Sequence, residues 1–361
     1  MEDNTVSIIG RIEGKKKRKN TFFIYLDCPE GRYQFVIKDD EELIHQFNSV
    51  NGGDIVRCQG VHDSFKNARF KINCPSFLLM RIEIVNKRIV SPTRVIDKSK
   101  IEEYSQAKNR VRSFLSQSGY IEVPIPVLTD GEISSAARSF VTESVSGKKL
   151  FLRKTMDVFL RMYSGMDFHK VYSIGPCFRN CFPTQTHVPE FEMLSIFTNY
   201  QSMDDAIIMV GQLVRIVLNN SPTIHKIGSQ EYENLDIKDG IWFITGYNDS
   251  RNSYAEVNRN GTTQEFKLKI NGVTVSHGVM ELQDIKSYRN KLEAQGRKTD
   301  YGELVHLEET LLSAAPPCFN IGFSIIRTLI AYNRRRIIDY DCFSISRLNQ
   351  SLNKRKDGHS E

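Results

Sequence analysis

The chain has 361 residues, 40% of them hydrophobic and 25% charged, with 21 Phe, 14 Tyr and a formal charge of +6. That is enough chain for two domains and a sizeable core, and it excludes a peptide module, a disulfide mini-protein and a disordered segment. No tract approaches the roughly 18 apolar residues of a membrane span, and MEDNTVSIIG lacks the basic end and apolar run of a signal peptide. Seven Cys without a CxxC pair fit free thiols, so the reading is a cytoplasmic protein with no membrane partner.

Residues 5 to 85 read as short strands, VSIIGRI, TFFIYLDC, YQFVIK, DIVRCQGV and ARFKINC, broken by Gly, Asn, Asp and Pro. One helical stretch, near Glu41 to Phe47, falls between the third and fourth strands, the arrangement of a five-stranded OB-type β-barrel. Lys15, Lys16, Lys17, Arg18 and Lys19 are read as a loop between the first two strands, where such barrels touch oligonucleotides. A solvated turn and a nuclear-import signal are the other readings of that run. About half of the flanking aromatics, Phe22, Phe23, Tyr25, Tyr33 and Phe35, must fill the barrel, leaving one or two to stack on a base.

NKRIVSPTRVIDK marks a boundary, giving a barrel over residues 1–88, a second domain over 98–350 and a polar tail over 351–361. Ile101, Tyr104, Val111, Phe114 and Leu115 recur at helical spacing, and a strand, YIEVPIPVL, follows. Pro124 and Pro126 restrict that strand to an edge or an interface. Ser202 and Asp205 form a capping box before an apolar helix from Ala206 to Leu218. Asn271-Gly272, between Phe266/Leu268/Ile270 and Val273/Val275, predicts a two-residue hairpin turn with Lys267, Lys269, Thr274 and Ser276 on one face. Two further helices, near 284–295 and 303–313, precede the apolar segment from Cys318 to Ile330. The whole is α+β, a barrel followed by an antiparallel sheet flanked by helices.

Within the second domain, VYSIGPCFRNCFPTQTHVPEFEMLSIF is a strand ending in Phe-Arg, a polar loop and a second strand. It resembles motif 2 of the class II aminoacyl-tRNA synthetases, in the lysine, aspartate and asparagine subgroup. GYIEVPIPVL is similar to motif 1, SAARSFVT and LFLRKTMDVFLRMYSG to the lysine enzymes, and PPCFNIGFSIIRTLI to motif 3. The resemblance implies amino-acid activation by ATP, transfer of the acyl group to tRNA or another amine, an anticodon-binding barrel and a homodimer. It assigns Arg179 to the α-phosphate and reacting carboxylate, Arg327 to the γ-phosphate, His187 to the outer phosphates and Phe191 to adenine. Asp157 stands where a Glu binds the α-amino group, Glu281 where an acid reads the lysine side chain, and Phe22 and Gln34 at anticodon contacts.

Departures from the pattern are specific. Two carboxylates that hold Mg²⁺ in lysine-type enzymes are Lys267 and Thr274, and a second acid that binds lysine is Ser195. The motif 2 Arg-x-Glu is Arg179-Asn180-Cys181, and Asn320 and Ser324 replace two motif 3 glycines. Lys267 is placed at the ATP phosphates by position, while Mg²⁺ loses its usual ligands and ordinary lysine charging is disfavoured. A metal at Cys177, Cys181 and His187 lacks a fourth ligand, so no metal site is assigned. Two functions stand, with the first favoured: an ATP-dependent ligase of synthetase type, or a catalytically inactive paralogue that binds tRNA, another RNA or a protein.

Overall fold

The computed structural model describes residues 5–62, 74–87, 98–131, 138–182, 184, 187–249, 254–294, 315–335 and 340. The chain divides into two units, Met1–Val95 and Ile96–Glu361. Among the described residues no helix is long and apolar enough to cross a membrane.

In the first unit, strands β1 (Thr5–Arg18), β2 (Thr21–Cys28), β3 (Gly31–Lys38), β4 (Ile55–His62) and β5 (Ser76–Asn86) close a barrel in the order β1-β2-β3-β5-β4. Helix α1 (Glu41–Ser49) lies between β3 and β4, capped by Asp40, whose carboxylate accepts the Leu43 N–H at 2.9 Å. Alternation along β2 and β3 sends Ile24, Leu26, Phe35 and Ile37 inward, where they are fully buried with Val56 and Cys58. The fifth strand is SFLLMRIEIVN, not ARFKINC, most of which lies outside the described residues.

Two expectations about the barrel are corrected. Lys15 to Arg18 are not in a loop: they pair with Ile24 to Thr21 as the end of β1, and the turn is only Lys19-Asn20. Lys15 is folded inward, donating to the Phe47 carbonyl and, at 2.6 Å, to that of Val50, with its ammonium 4.2 Å from the Phe47 ring centroid. Phe22 is a core residue, 5% exposed and edge-on to Phe47 at 5.1 Å, so it presents no face to a base. Its inward direction follows from the period of two that also buries Ile24 and Leu26.

The second unit opens with helix α2 (Lys98–Gln117) and short β6 (Ile121–Glu122). Strands β7 (Leu128–Thr129), β8 (Val141–Glu143) and β9 (Lys149–Leu152) form a small sheet, followed by helix α3 (Asp157–Gly165). Then come β10 (Lys170–Phe178), β11 (Glu190–Asn199), α4 (Met203–Leu218), β12 (His225–Gly228), α5 (Ser229–Asn234) and β13 (Ile241–Thr245). The chain continues through β14 (Glu265–Ile270), β15 (Val273–Met280), α6 (Ile285–Ala294), β16 (Cys318–Phe323) and α7 (Ile325–Tyr332). The large sheet has the order β12-β13-β14-β15-β16-β11-β10-β6. The expected helix at 303–313 and the tail at 351–361 lie outside the described residues.

Of YIEVPIPVL, only Ile121-Glu122 pairs with the large sheet, at its edge and parallel to β10, and Leu128-Thr129 pairs elsewhere. Pro124 and Pro126 have no N–H to donate between them, and the Arg153 guanidinium satisfies the stranded carbonyls of Ile125 and Pro126 at 2.6 and 3.1 Å. Ser202 and Asp205 cap α4 reciprocally, and its apolar face packs with α2 and α7 on one side of the sheet. That side takes Phe266, Leu268, Ile321, Phe323, Leu194 and Ile196; the alternate residues of the same strands face the other way, toward α3.

Candidate active site

The register of the large sheet sets one row of residues across the α3 side. Lys267 lies opposite His277, His277 opposite Gly322, Gly322 opposite Ser195, and Ser195 opposite Ser173. Two positions along β16 on the same side is Asn320. Asp157 is in the first turn of α3, and Glu281 immediately follows β15. Helix α3 and the end of β15 thus carry the acids, while the segment after β10 and helix α7 carry the cations.

Arg179 follows β10, and its guanidinium sits 5.0 Å from the ring centroid of Phe191 on β11. Arg327 is in the first turn of α7, where the Ser324 side chain caps the helix by accepting the Arg327 N–H at 3.3 Å. Burial lowers the pKa of Arg327, and the nearby Arg179 charge lowers it further. The same pattern holds at His187, lowered by burial and then by Arg327 and Arg179. Neither guanidinium forms an ion pair among the described residues. Arg327 and His187, each lowered by burial and by the Arg179 charge, form with Arg179 a basic cluster in a partly desolvated place, a setting that favours an anion.

Beside them is an acid pocket. Asp157 is raised above the usual carboxylate range, chiefly by burial, against which Thr155, Ser195, Arg179 and Asn320 favour the charged form. Burial pushes Glu281 up to about 7, opposed by Arg161 and by Asn320, whose amide donates to the Glu281 carboxylate at 2.8 Å. Four buried polar atoms lack hydrogen-bond partners here: Arg179 Nε, Ser195 Oγ, Asn320 Oδ1 and Arg161 Nη2. Buried polar atoms are almost always satisfied in folded proteins, so this concentration makes the place a candidate binding site.

Of the expected site residues, the structure therefore brings together Arg179, His187, Phe191, Arg327, Asp157, Ser195 and Glu281. Arg161 and Asn320 join them without having been assigned roles; Asn320 is visible in the sequence as a departure from glycine, whereas nothing in the helical pattern of α3 singles out Arg161. Lys267 shares their side of the sheet but opens on a different cavity, of about 620 Å³, with Lys269, Thr274, His277, Tyr232 and Tyr247. Its ammonium lies 4.5 Å from the Tyr247 ring centroid, and that of Lys269 lies 4.8 Å from Tyr232.

The hairpin turn forms at Asn271-Gly272, but the expected faces are corrected by a β-bulge. Lys269 pairs with Thr274, Leu268 with Ser276 and Lys267 with His277, leaving Val275 extra. Ser276 is thereby turned to the core side, where its hydroxyl donates to the Gly322 carbonyl at 2.9 Å, and His277 takes the place beside Lys267.

Mg²⁺ does not fit the two positions the resemblance implies for it. An ammonium has no lone pair to offer a cation, and one hydroxyl is a poor substitute for two carboxylates. Among the described residues no three His, Cys, Asp or Glu gather to hold a metal. The alternative trio is dispersed in character: Cys177 is buried, with its thiol pushed up to about 12 by desolvation, and Cys181 is exposed.

On the barrel, the outward face of β1 to β3 carries Lys16 and Arg18, Phe23 and Tyr25, and Gln34 and Lys38 in adjoining register. This is the basic and aromatic surface that the sequence placed one residue off, at Phe22. Gln34 is on it, its amide donating to the Ser76 hydroxyl at 3.0 Å.

Comparison with known proteins agrees with this architecture. Residues 83–252 match the family model of tRNA synthetases class II (D, K and N). The chain is 25% identical over 242 residues to a lysine-tRNA ligase of Staphylococcus saprophyticus, covering 59% of this chain and 48% of that one. To the lysine-tRNA ligase of Thermotoga maritima it is 27% identical over 255 residues, covering 64% and 51%. The chain thus spans about half the length of the curated relatives it matches. Its fold is that of the asparaginyl-tRNA synthetase of Pyrococcus horikoshii, solved with asparaginyl-adenylate, at a TM-score of 0.79 over 93% of this chain and 94% of the other, with 15% identity. A barrel, a helix-flanked mixed sheet and a strand pair leading to Arg179 give this chain the fold of a class II synthetase, and its residues 83–252 are similar to the class II tRNA synthetases of the aspartate, lysine and asparagine type.

Proposed function

We propose that the protein is a ligase of synthetase type that activates an amino acid with ATP and passes the acyl group to tRNA or another amine. The observation that carries this reading is the convergence of Arg179, Arg327 and His187, close enough that Arg179 lowers the pKa of the other two, beside the acid pocket of Asp157 and Glu281. Such a pair of subsites matches the two reactants, a polyphosphate and a zwitterion.

In the activation step a carboxylate oxygen attacks the α-phosphorus, and the bond to the β-phosphate oxygen breaks, so that pyrophosphate leaves with the electron pair. Arg179, next to Phe191, supports the charge on the α-phosphate and the approaching carboxylate; Arg327 and His187 hold the departing end. Asp157 receives the α-ammonium. Most of the rate gain in such a reaction comes from position and fixed charge rather than proton transfer, which suits guanidinium groups anchored on strands and a capped helix. Amino-acid-dependent exchange of pyrophosphate into ATP tests the reading, and its absence at micromolar protein for every common amino acid sinks it.

The inactive, RNA- or protein-binding alternative rests on Lys267 and Thr274 at the former metal positions. It predicts no ATP binding by calorimetry. In either case the outer barrel face, with Lys16, Arg18, Phe23, Tyr25, Gln34 and Lys38, is the proposed RNA contact. Half-exposed Ile121, Val127 and Leu128 around the motif 1 segment favour a homodimer built on that edge.

A further inference from the structure

The anion site accounts for Arg179 and Arg327, but not for Arg161. This residue sits in the middle of α3, one turn after Asp157, and is 3% exposed. A guanidinium this deeply buried needs an acid, and no carboxylate forms an ion pair with it among the described residues. Its Nη1 donates to the Pro316 carbonyl at 3.1 Å and contacts the Cys318 sulfur, while Nη2 has no partner. Glu281 is tied to the same residue through its backbone, its N–H bonding to the Cys318 carbonyl at 3.0 Å. Arg161 is near enough to favour the ionised form of Glu281, and Asn320, two positions along β16 from Cys318, is bonded to the Glu281 carboxylate.

This bears directly on what the acid pocket can accept, given the ligase reading on which it rests. We propose that Arg161 is the internal counter-ion of Glu281, and that the pocket consequently selects an amino acid with an uncharged, hydrogen-bonding side chain and rejects a cationic one. When Glu281 is ionised, its charge is offset by Arg161 and its lone pairs are engaged by Asn320. When it is protonated, there is no charge to offer. In both states an entering side-chain ammonium meets the Arg161 charge while Asp157 is taken by the α-ammonium, and the second acid that could have compensated is Ser195.

What remains unsatisfied describes the ligand. Ser195 Oγ offers a donor and an acceptor and is fully buried; Asn320 Oδ1 offers an acceptor and is 8% exposed; Arg161 Nη2 offers a donor. An amide or hydroxyl side chain presents both donors and acceptors to such a set. A lysine ammonium has donors only, so it would leave the Arg161 donor unmet and add a like charge. A carboxylate side chain would meet Arg161 but face Glu281 and Asp157. Arg161 acts through Glu281 and is on this account a specificity-determining positioning residue.

The test is calorimetry of the full chain with N-aminoacyl sulfamoyl adenosines, stable mimics of the activated amino acid, bearing asparagine, glutamine, serine, glutamate or lysine. At least one amide or hydroxyl analogue is expected to bind roughly tenfold or more tightly than the lysine analogue, as for a site that hydrogen-bonds its substrate's polar group. In Arg161→Met the preference is expected to collapse toward lysine by a similar factor. Because removing a buried guanidinium can prevent folding, Asn320→Asp is a second variant: it adds a negative charge beside Glu281, leaves Arg161 in place and should shift the ratio the same way. A lysine analogue that binds the wild type as well as the neutral ones, or ratios unmoved in the folded variants, overturns the inference while leaving the ligase reading intact. Failure of ATP and of every analogue to bind overturns the ligase reading, and this inference with it.

Discussion

At the scale of single residues, the site is defined by charges that depress or raise one another. Arg179 is the only guanidinium assigned to both reactants, and Arg179→Ala is expected to lower pyrophosphate exchange by about 10²-fold or more, the cost of removing one preorganised electrostatic contact. Arg327→Ala should weaken ATP binding in calorimetry with little change in amino-acid binding, since it faces only the leaving end. Glu281 makes a separate prediction about stability. Its carboxyl is raised from 4.5 to about 7 in the folded protein, so the folded state holds a proton that the unfolded chain has released. Stability is therefore greatest below the unfolded value and falls as pH rises through the window from 4.5 to about 7, by on the order of 3 kcal/mol from this group. Glu281→Gln should remove that slope: melting curves of variant and wild type are expected to diverge in favour of the variant from pH 5 to pH 8. Parallel curves would show that the carboxyl is not desolvated. The roles proposed for Arg179, Arg327 and Glu281 come from the positions that the resemblance gives them in the sequence. That of Arg161 was not legible there, because its significance is its distance from Cys318 and Glu281, more than 100 residues away in the chain.

At the scale of elements, the β14-β15 hairpin carries the two positions, Lys267 and Thr274, that the resemblance gives to metal-binding carboxylates. The turn needs left-handed backbone at both central residues, with φ of 47° at Asn271 and 80° at Gly272. Asn271 also ties the turn to its surroundings, accepting the Gly240 N–H at 3.0 Å and donating to the Ala331 carbonyl at the end of α7 at 2.9 Å. Gly272→Ala is expected to cost about 1–2 kcal/mol in denaturant unfolding, because a Cβ disfavours that conformation. The turn was written in the sequence; the bulge after it was not. Strict alternation predicts Ser276 beside Lys267, whereas the extra residue Val275 puts His277 there. Since the hairpin carries an ammonium where carboxylates would bind a cation, ATP is expected to bind as tightly in EDTA as with Mg²⁺. Lys267→Glu should introduce a dependence on Mg²⁺, and a wild type that needs Mg²⁺ for ATP binding would contradict this account of the hairpin.

At the scale of the molecule, each unit has a core of its own, the barrel around Phe35 and Ile37, the second around Phe266, Phe319 and Phe323. The barrel's outer face makes a polyelectrolyte prediction. Replacing Lys16, Arg18 and Lys38 by Gln should weaken RNA binding and lower the slope of its logarithm against salt concentration by about two to three, one counterion contribution per lost phosphate contact. Phe22→Leu should mainly affect stability, whereas Phe23→Ala should affect RNA affinity without lowering the melting temperature comparably. Light scattering is expected to give a dimer, and Leu128→Lys, placed on an exposed apolar residue, to shift it toward monomer.

The sequence by itself determined the elements whose signals are local: a helix after Asp40, a capping box at Ser202, a turn at Asn271-Gly272, and ordered motifs that carry a family resemblance. Such features depend on residues within a few positions of one another, so their physics is complete within a short stretch of chain. Only the tertiary structure decided which of two adjacent phenylalanines faces outward, that Lys15 turns into the barrel, that Ser276 turns to the core side of its hairpin, and that Arg161 acts on Glu281. Each of these depends on the register between strands or on burial shared by distant segments, and a shift of one residue in a pleated strand reverses the direction of its side chain.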